Sequence, residues 1–171
     1  SYETSIILKE RLGNRINIKA YDYGDIFKIN GISISLHPSG HIIGSSQIRF
    51  EAAGLTWLIT GDFKTQKDLS CSSFEKIKTD FLICESTFAL PIFRWEDTDF
   101  IVNDISNWVN ESADKTSLLF CYSLGKSQRL LNELKRKNIK KIFTHKSITK
   151  INNCYKKLGL DIIDTINFDK N

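Results

Sequence analysis

A histidine and an aspartate, His41 and Asp62, stand 21 positions apart, each beside glycine, in Gly40-His41-Ile42-Ile43-Gly44-Ser45 and Thr60-Gly61-Asp62-Phe63. Imidazole nitrogen and carboxylate oxygen both ligate zinc, at about 2.0–2.2 Å. The residues between them read as a β-hairpin: Gln47-Ile48-Arg49-Phe50-Glu51 alternates apolar and polar, Ala53-Gly54 supplies a turn, and Leu55-Thr56-Trp57-Leu58-Ile59 runs back. His41 leads into the first strand and Asp62 leaves the second, so the hairpin brings both side chains to one end. Gly40 and Gly44 allow unusual backbone angles around His41. A pair alone is a modest signal, because a catalytic zinc usually takes three protein ligands.

The elements that must position this pair follow from pattern. A helix is expected over the first twelve residues, ending near Gly13, then strands at 16–20 and 25–29. Asn30-Gly31 turns the chain into Ile32–Leu36, whose Ile-Ser-Ile-Ser-Leu alternation marks a half-buried strand. A polar loop covers 64–73. Asp80–Cys84 is a short apolar run of the kind a buried strand shows, and it delivers Glu85 at its end. Pro91, Phe93 and Trp95 mark a boundary. Beyond it, 100–110 is an amphipathic helix, 117–122 an apolar strand, 126–136 a helix, 139–143 a strand and 148–158 a helix. This βαβα rhythm predicts a small parallel sheet.

The junction Tyr122-Ser123-Leu124-Gly125-Lys126-Ser127-Gln128-Arg129 joins a predicted strand to a helix N-terminus, where free N–H groups and the positive helix end favour an anion. Ser123 and Lys126 can add contacts. The spacing is not that of a nucleotide P-loop, and an ordinary capped turn reads the same residues equally well. Between Lys126 and Lys157 eleven basic residues face one acid, Glu133, in a chain whose net charge is only +4. Such a cluster is the footprint of a phosphate-backbone binder, or else a lysine-rich solvated face.

Composition suits a soluble, folded, cytoplasmic protein, with 41% hydrophobic and 26% charged residues. No run approaches the ~18 apolar residues of a membrane helix, and no leader suggests export. Cys71, Cys84, Cys121 and Cys154 show no metal spacing. Cys84 and Cys121, inside apolar runs, read as small hydrophobes. His145 reads as a surface residue after a strand.

Taken together, Gly-His-Ile-Ile-Gly-Ser, Thr-Gly-Asp-Phe and Glu85-Ser86-Thr87-Phe88 resemble three successive motifs of the β-CASP nucleases of the metallo-β-lactamase superfamily. Leu36-His37-Pro38-Ser39-Gly40-His41, the Glu85–Trp95 stretch and Tyr122–Arg129 look like the ligase-associated DNA exonuclease branch. The likeness runs over essentially the whole chain. It implies an α/β (α+β) architecture, with residues 1–90 a partial metallo-β-lactamase αββα sandwich and residues 91–171 part of a β-CASP domain with a small parallel sheet. It further implies a two-zinc phosphodiesterase in which His41 and Asp62 are metal ligands and Asp62 and Glu85 act in catalysis. His37 would support His41 from behind, and Ser123, Gly125, Lys126 and Gln128 would face nucleic acid. The implied partner is nucleic acid, DNA before RNA, with a DNA ligase and a helicase as associates and no membrane.

The departures are as specific. The family's His-x-His-x-Asp-His string is absent, and the chain has only three histidines, at 37, 41 and 145. Ala89 replaces a common glycine. The expectation is therefore an internal slice of a protein about twice as long, inactive by itself. An RNA-processing nuclease of the same superfamily and a non-catalytic nucleic-acid-binding module are the rival readings.

Overall fold

The computed structural model describes residues 1–137, 139 and 141–168. The chain divides into two compact units, Ser1–Ser86 and Thr87–Asn171. Together the described residues form a mixed α/β arrangement of four helices, a five-stranded sheet and a two-stranded one.

The first unit opens with helix α1 (Tyr2–Leu12), capped by the Ser1 side chain, which accepts the Thr4 N–H. Strands β1 (Ile26–Ile29), β2 (Ile32–Pro38), β3 (Ser46–Ala52), β4 (Leu55–Ile59) and β5 (Phe81–Ile83) then form a sheet in that spatial order. The β1–β2, β2–β3 and β3–β4 pairs are antiparallel, and β4–β5 is parallel. Both tight hairpins have two-residue loops with both residues at positive φ: Asn30 (49°) and Gly31 (81°), and Ala53 (50°) and Gly54 (76°). That is the mirror-image turn whose twist matches a right-twisted ribbon. Its conformation explains Asn-Gly at the first turn and Gly54 at the second, where Ala53 takes a left-handed conformation that alanine rarely adopts. Ile7, Ile43 and Leu58 are buried apolar residues of this unit, alongside the polar Ser35, Ser39, Gln47 and Thr60.

Two expectations fail here. Residues 16–20 carry no strand, because an alternating run becomes a strand only where a neighbour pairs with it. Phe81, Leu82 and Ile83 do form β5, but as an edge strand exposed on both faces instead of a buried one. Asp80 sets its register: the Thr56 N–H and hydroxyl both donate to Asp80 Oδ2 at 2.8 Å, which holds this carboxyl below the ordinary range.

The second unit holds α2 (Thr98–Glu111), α3 (Lys126–Arg136), β6 (Phe143–His145), α4 (Lys146–Lys157) and β7 (Ile166–Phe168). Val102, Leu131, Leu134, Ile151, Cys154, Tyr155 and Ile162 are its buried apolar residues. A small parallel sheet is present as the β6–β7 pair, but it is built with residues 166–168, where the pattern predicts no strand. Residues 117–122 are not part of it; Leu118, Phe120 and Tyr122 are exposed and the segment has no ladder partner among the described residues. Cys84 is likewise exposed, not a core hydrophobe, while Cys121 is half-buried. The expected strand at 139–143 begins only at Phe143, and Lys140 lies outside the described residues. No helix among the described residues is long and apolar enough to cross a membrane.

Candidate metal and phosphate sites

The sheet places the three motifs of the first unit side by side. The His41 loop enters β3, Thr60-Gly61-Asp62 leaves β4, and Glu85 leaves β5. Because β4 and β5 run parallel, their C-terminal ends lie together; the Thr60 N–H donates to the Ile83 carbonyl at 3.0 Å. His41 Nε2 lies 3.8 Å from Asp62 Oδ2, with side chains 43% and 71% exposed. Glu85 joins the same rim. Its Oε1 accepts the Phe63 N–H at 3.4 Å, and its own N–H points to Thr60 Oγ1 at 3.4 Å.

His41 and Asp62 are therefore close enough for one cation to meet both, or for the carboxylate to reach a second ion alongside. Their donor chemistry suits zinc. They do not make a complete centre: among the described residues no group of three or more His, Cys, Asp and Glu side chains could hold a metal ion.

What shapes the rim lies beneath it. Gly40 has φ +71° and is packed so closely that a β-carbon there would stand 2.3 Å from the Lys64 carbonyl oxygen and 2.9 Å from the Phe74 nitrogen. Gly44 (φ +75°) is equally confined by Thr4, whose hydroxyl donates to the Gly44 carbonyl at 2.7 Å, so α1 docks on the His41 loop. Ile43 is buried and pins the loop from within. Gln47 is fully buried and donates through Nε2 to the Pro38 and Glu75 carbonyls, at 3.0 and 2.6 Å.

His37 is placed differently from its expected role. Its ring nitrogens meet Ser35 Oγ at 2.9 Å and Glu75 Oε2 at 3.2 Å, partners other than His41. His37 therefore braces the 64–75 segment instead of the ligand itself.

Within the segment, burial pushes the Asp68 carboxyl up. Hydrogen bonds from the Lys64 ammonium and from the Ser70 hydroxyl and N–H outweigh that and hold it below the ordinary carboxylate range. A carboxyl lowered on folding stabilises the fold above its unfolded pKa of about 3.9, and the contribution disappears as pH falls through the folded value. Asp68→Asn is accordingly expected to cost about 2 kcal/mol at pH 7, the scale of a hydrogen bond to a charged group. The gap from wild type should begin to narrow below about pH 4 and close as pH falls through the lower folded value. Urea unfolding at pH 7 and pH 3 checks it, and an equal gap at both values would contradict the assignment.

In the second unit the Ser123–Gln128 loop is a compact helix cap. Gly125 takes φ +85° and caps α3; its N–H donates to Gln128 Oε1 at 2.8 Å. Gln128 Nε2 donates to the Ser123 carbonyl at 3.1 Å and to Asn152 Oδ1 at 2.8 Å. Gln128 is fully buried. It and the Gly125 N–H are therefore not surface contacts for nucleic acid: this polarity is consumed inside the cap. Gln128, three residues after the cap, supplies only the returning half of a capping box, since Gly125 has no side chain to complete it. Lys126 is exposed, with Nζ 5.6 Å from the Tyr122 ring centroid. Ser123 is half-buried beside it.

The basic cluster is partly neutralised by Glu133 within it and by acids outside its own stretch of sequence. Lys135 pairs with Asp161, Lys156 with Asp164, and Arg136 with Glu133 and Asp99. His145 is exposed and caps α4, its Nδ1 accepting the Ser147 N–H.

The first unit thus carries His41, Asp62 and Glu85 together at the strand ends of a mixed sheet. No family model matches the chain. Its relatives are nonetheless informative. It is 30% identical over 161 residues to a protein named Probable DNA ligase from Opitutus terrae, a match covering 92% of this chain and 16% of that protein. It is 30% identical over 128 residues to Endoribonuclease YSH1 of Gibberella zeae, covering 72% of this chain and 15% of the relative. With Endoribonuclease ysh-1 of Neurospora crassa the identity is 32% over 119 residues, 67% of this chain and 14% of that one. The chain thus spans about one sixth of these relatives. In three dimensions it resembles a protein of unknown function from Enterococcus faecalis V583, with TM-score 0.63 and 12% identity, over 99% of this chain and 45% of that one. That likeness concerns the fold alone. The named relatives support a relation to nucleases.

Proposed function

We propose that this chain is part of a metal-dependent nuclease of the β-CASP metallo-β-lactamase type, cleaving phosphodiesters in nucleic acid. The observation that carries the reading is the 3.8 Å approach of His41 to Asp62 at a strand-end rim shared with Glu85. In this reading residues 1–90 form the metallo-β-lactamase portion and residues 91–171 the β-CASP portion. His41 and Asp62 would hold zinc, with the remaining ligands supplied outside residues 1–171. When bound, such ions polarise a phosphate and lower the pKa of a bound water toward neutrality.

This chain's own residues then have simple tasks. Asp62 offers two oxygens, enough to serve two ions, while His41 offers one nitrogen. Glu85, its carboxylate oriented by the Phe63 N–H, stands at the rim to orient a ligand or carry a proton. Ser123 and Lys126 present a hydroxyl and a cation to the phosphate backbone.

One reading of the biology is DNA exonuclease action in repair, with a DNA ligase and a helicase as associates. The endoribonuclease names among the relatives favour the RNA reading about as much. Purified residues 1–171 are expected to bind zinc weakly, to lose that binding on His41→Ala or Asp62→Ala, and to show no turnover of single-stranded DNA or RNA. Anisotropy titrations with matched DNA and RNA strands, repeated at two salt concentrations, separate the substrates. Zinc binding indifferent to both substitutions, together with no affinity for either strand, would refute the proposal.

A further inference from the structure

The His41 and Asp62 side chains are largely solvent-exposed, so little packing around them can define their separation. A ligand pair must nevertheless be held to within about half an ångström to work, which places the constraint in whatever lies underneath. Ser39 occupies that position. It has no solvent exposure, its N–H donates to the Ser45 carbonyl at 3.2 Å, and its carbonyl accepts the Lys64 N–H at 3.0 Å. Its hydroxyl oxygen lies 2.8 Å from Ser45 Oγ and 2.9 Å from the Asp62 carbonyl oxygen. Ser45 Oγ in turn accepts the Ile42 N–H at 3.1 Å and lies 2.7 Å from the Ile42 carbonyl oxygen; with its proton directed to Ser39 Oγ, the Ser39 proton serves the Asp62 carbonyl. A continuous hydrogen-bond path therefore runs from the backbone of Asp62, through two serine hydroxyls, to the residue after His41.

We propose that Ser39 is a positioning residue that sets the His41–Asp62 separation and so the affinity of the pair for a divalent cation; this rests on the reading of those two residues as metal ligands. Ser39 is two residues before His41 and touches no ligand atom. It acts by tying the backbone that carries the imidazole to the peptide that carries the carboxylate. Removing its hydroxyl frees the Asp62 carbonyl and lets the two loops drift apart, without removing either donor.

The test is a zinc titration of the full 1–171 chain, by calorimetry well below its unfolding temperature, on wild type, Ser39→Ala, His41→Ala, Ser39→Ala/His41→Ala and Gly54→Ala. Gly54 sits at the remote hairpin tip with open space around it, and its substitution controls for general loss of stability. The expected result is 10–100-fold weaker zinc binding in Ser39→Ala, as for other residues that orient a ligand. Gly54→Ala should bind as wild type, and Ser39→Ala should have no further effect once His41 is gone. If Ser39→Ala binds zinc as tightly as wild type, or only as weakly as Gly54→Ala, the positioning role is overturned while the metal reading stands. If wild type binds no zinc, or binds it regardless of His41, the metal reading is overturned and this proposal with it.

Discussion

Replacing Gly40 with alanine is expected to destabilise the first unit by about 3 kcal/mol, combining roughly 1–2 kcal/mol for a left-handed backbone with about 1–3 for overpacking. The two terms have separate origins. At φ +71° any β-carbon is strained against its own carbonyl, whatever surrounds it. At this position the β-carbon also meets the Lys64 carbonyl at 2.3 Å and the Phe74 backbone at 2.9 Å, neither of which is a flexible side-chain end. Gly54 provides the comparison: φ is +76°, yet nothing lies within 4 Å, so Gly54→Ala should cost only the strain, about 1 kcal/mol. Amide exchange of the β2–β3 ladder in the two variants reads the difference within this unit. Equal protection would mean that the 64–75 segment yields easily. The expected consequence reaches beyond stability, because Lys64 also donates to Ser39 and neighbours the rim. Pushing it aside moves the floor under His41, so zinc binding should fall with stability in Gly40→Ala and not in Gly54→Ala.

This contrast also shows what a sequence can and cannot disclose. Asn30-Gly31 and Ala53-Gly54 are readable as turns because a two-residue hairpin needs positive φ twice, and few residue pairs tolerate that. The convergence of His41 and Asp62 followed from the hairpin between them, since strand pairing fixes which ends meet. The helix over 126–136 was legible from the spacing of Leu130, Leu131 and Leu134. Pairing partners were not legible. Residues 16–20 and 117–122 have strand-like composition, but a strand exists only when another backbone offers its ladder, and that is a property of the whole fold. Burial of polar groups was equally hidden. Ser39, Gln47 and Gln128 look like surface residues in the sequence and are fully buried in the structure. Each is buried because backbone groups left over by loops and caps need partners there. The motif strings marked the neighbourhood of Ser39 without assigning it a task. Its task depends on the Asp62 carbonyl, 23 residues away.

The same hidden burial separates two residues that the Ser123–Gln128 motif presents as equals. Gln128→Ala is expected to cost the second unit about 2–4 kcal/mol, and Lys126→Ala no more than about 1. Gln128 satisfies the Gly125 N–H, the Ser123 carbonyl and Asn152 Oδ1 with one amide. Deleting it leaves these groups without those partners, and each buried orphan costs about 1–3 kcal/mol. Asn152 Nδ2 is already buried without a hydrogen-bond partner, so the cap has little polar slack. Lys126 is exposed and its cation rests near the Tyr122 ring, an arrangement worth about 0.5–1 kcal/mol at most in such a setting. In nucleic-acid binding the order should reverse at low temperature, where both variants are folded. Lys126→Ala should weaken binding to DNA and RNA alike and lower the salt slope by about one, as expected when one phosphate contact is lost. Gln128→Ala, which removes no surface charge, should leave that slope unchanged. A variant of Gln128 that kept full stability but lost affinity would return the residue to the binding surface and contradict its burial in the cap.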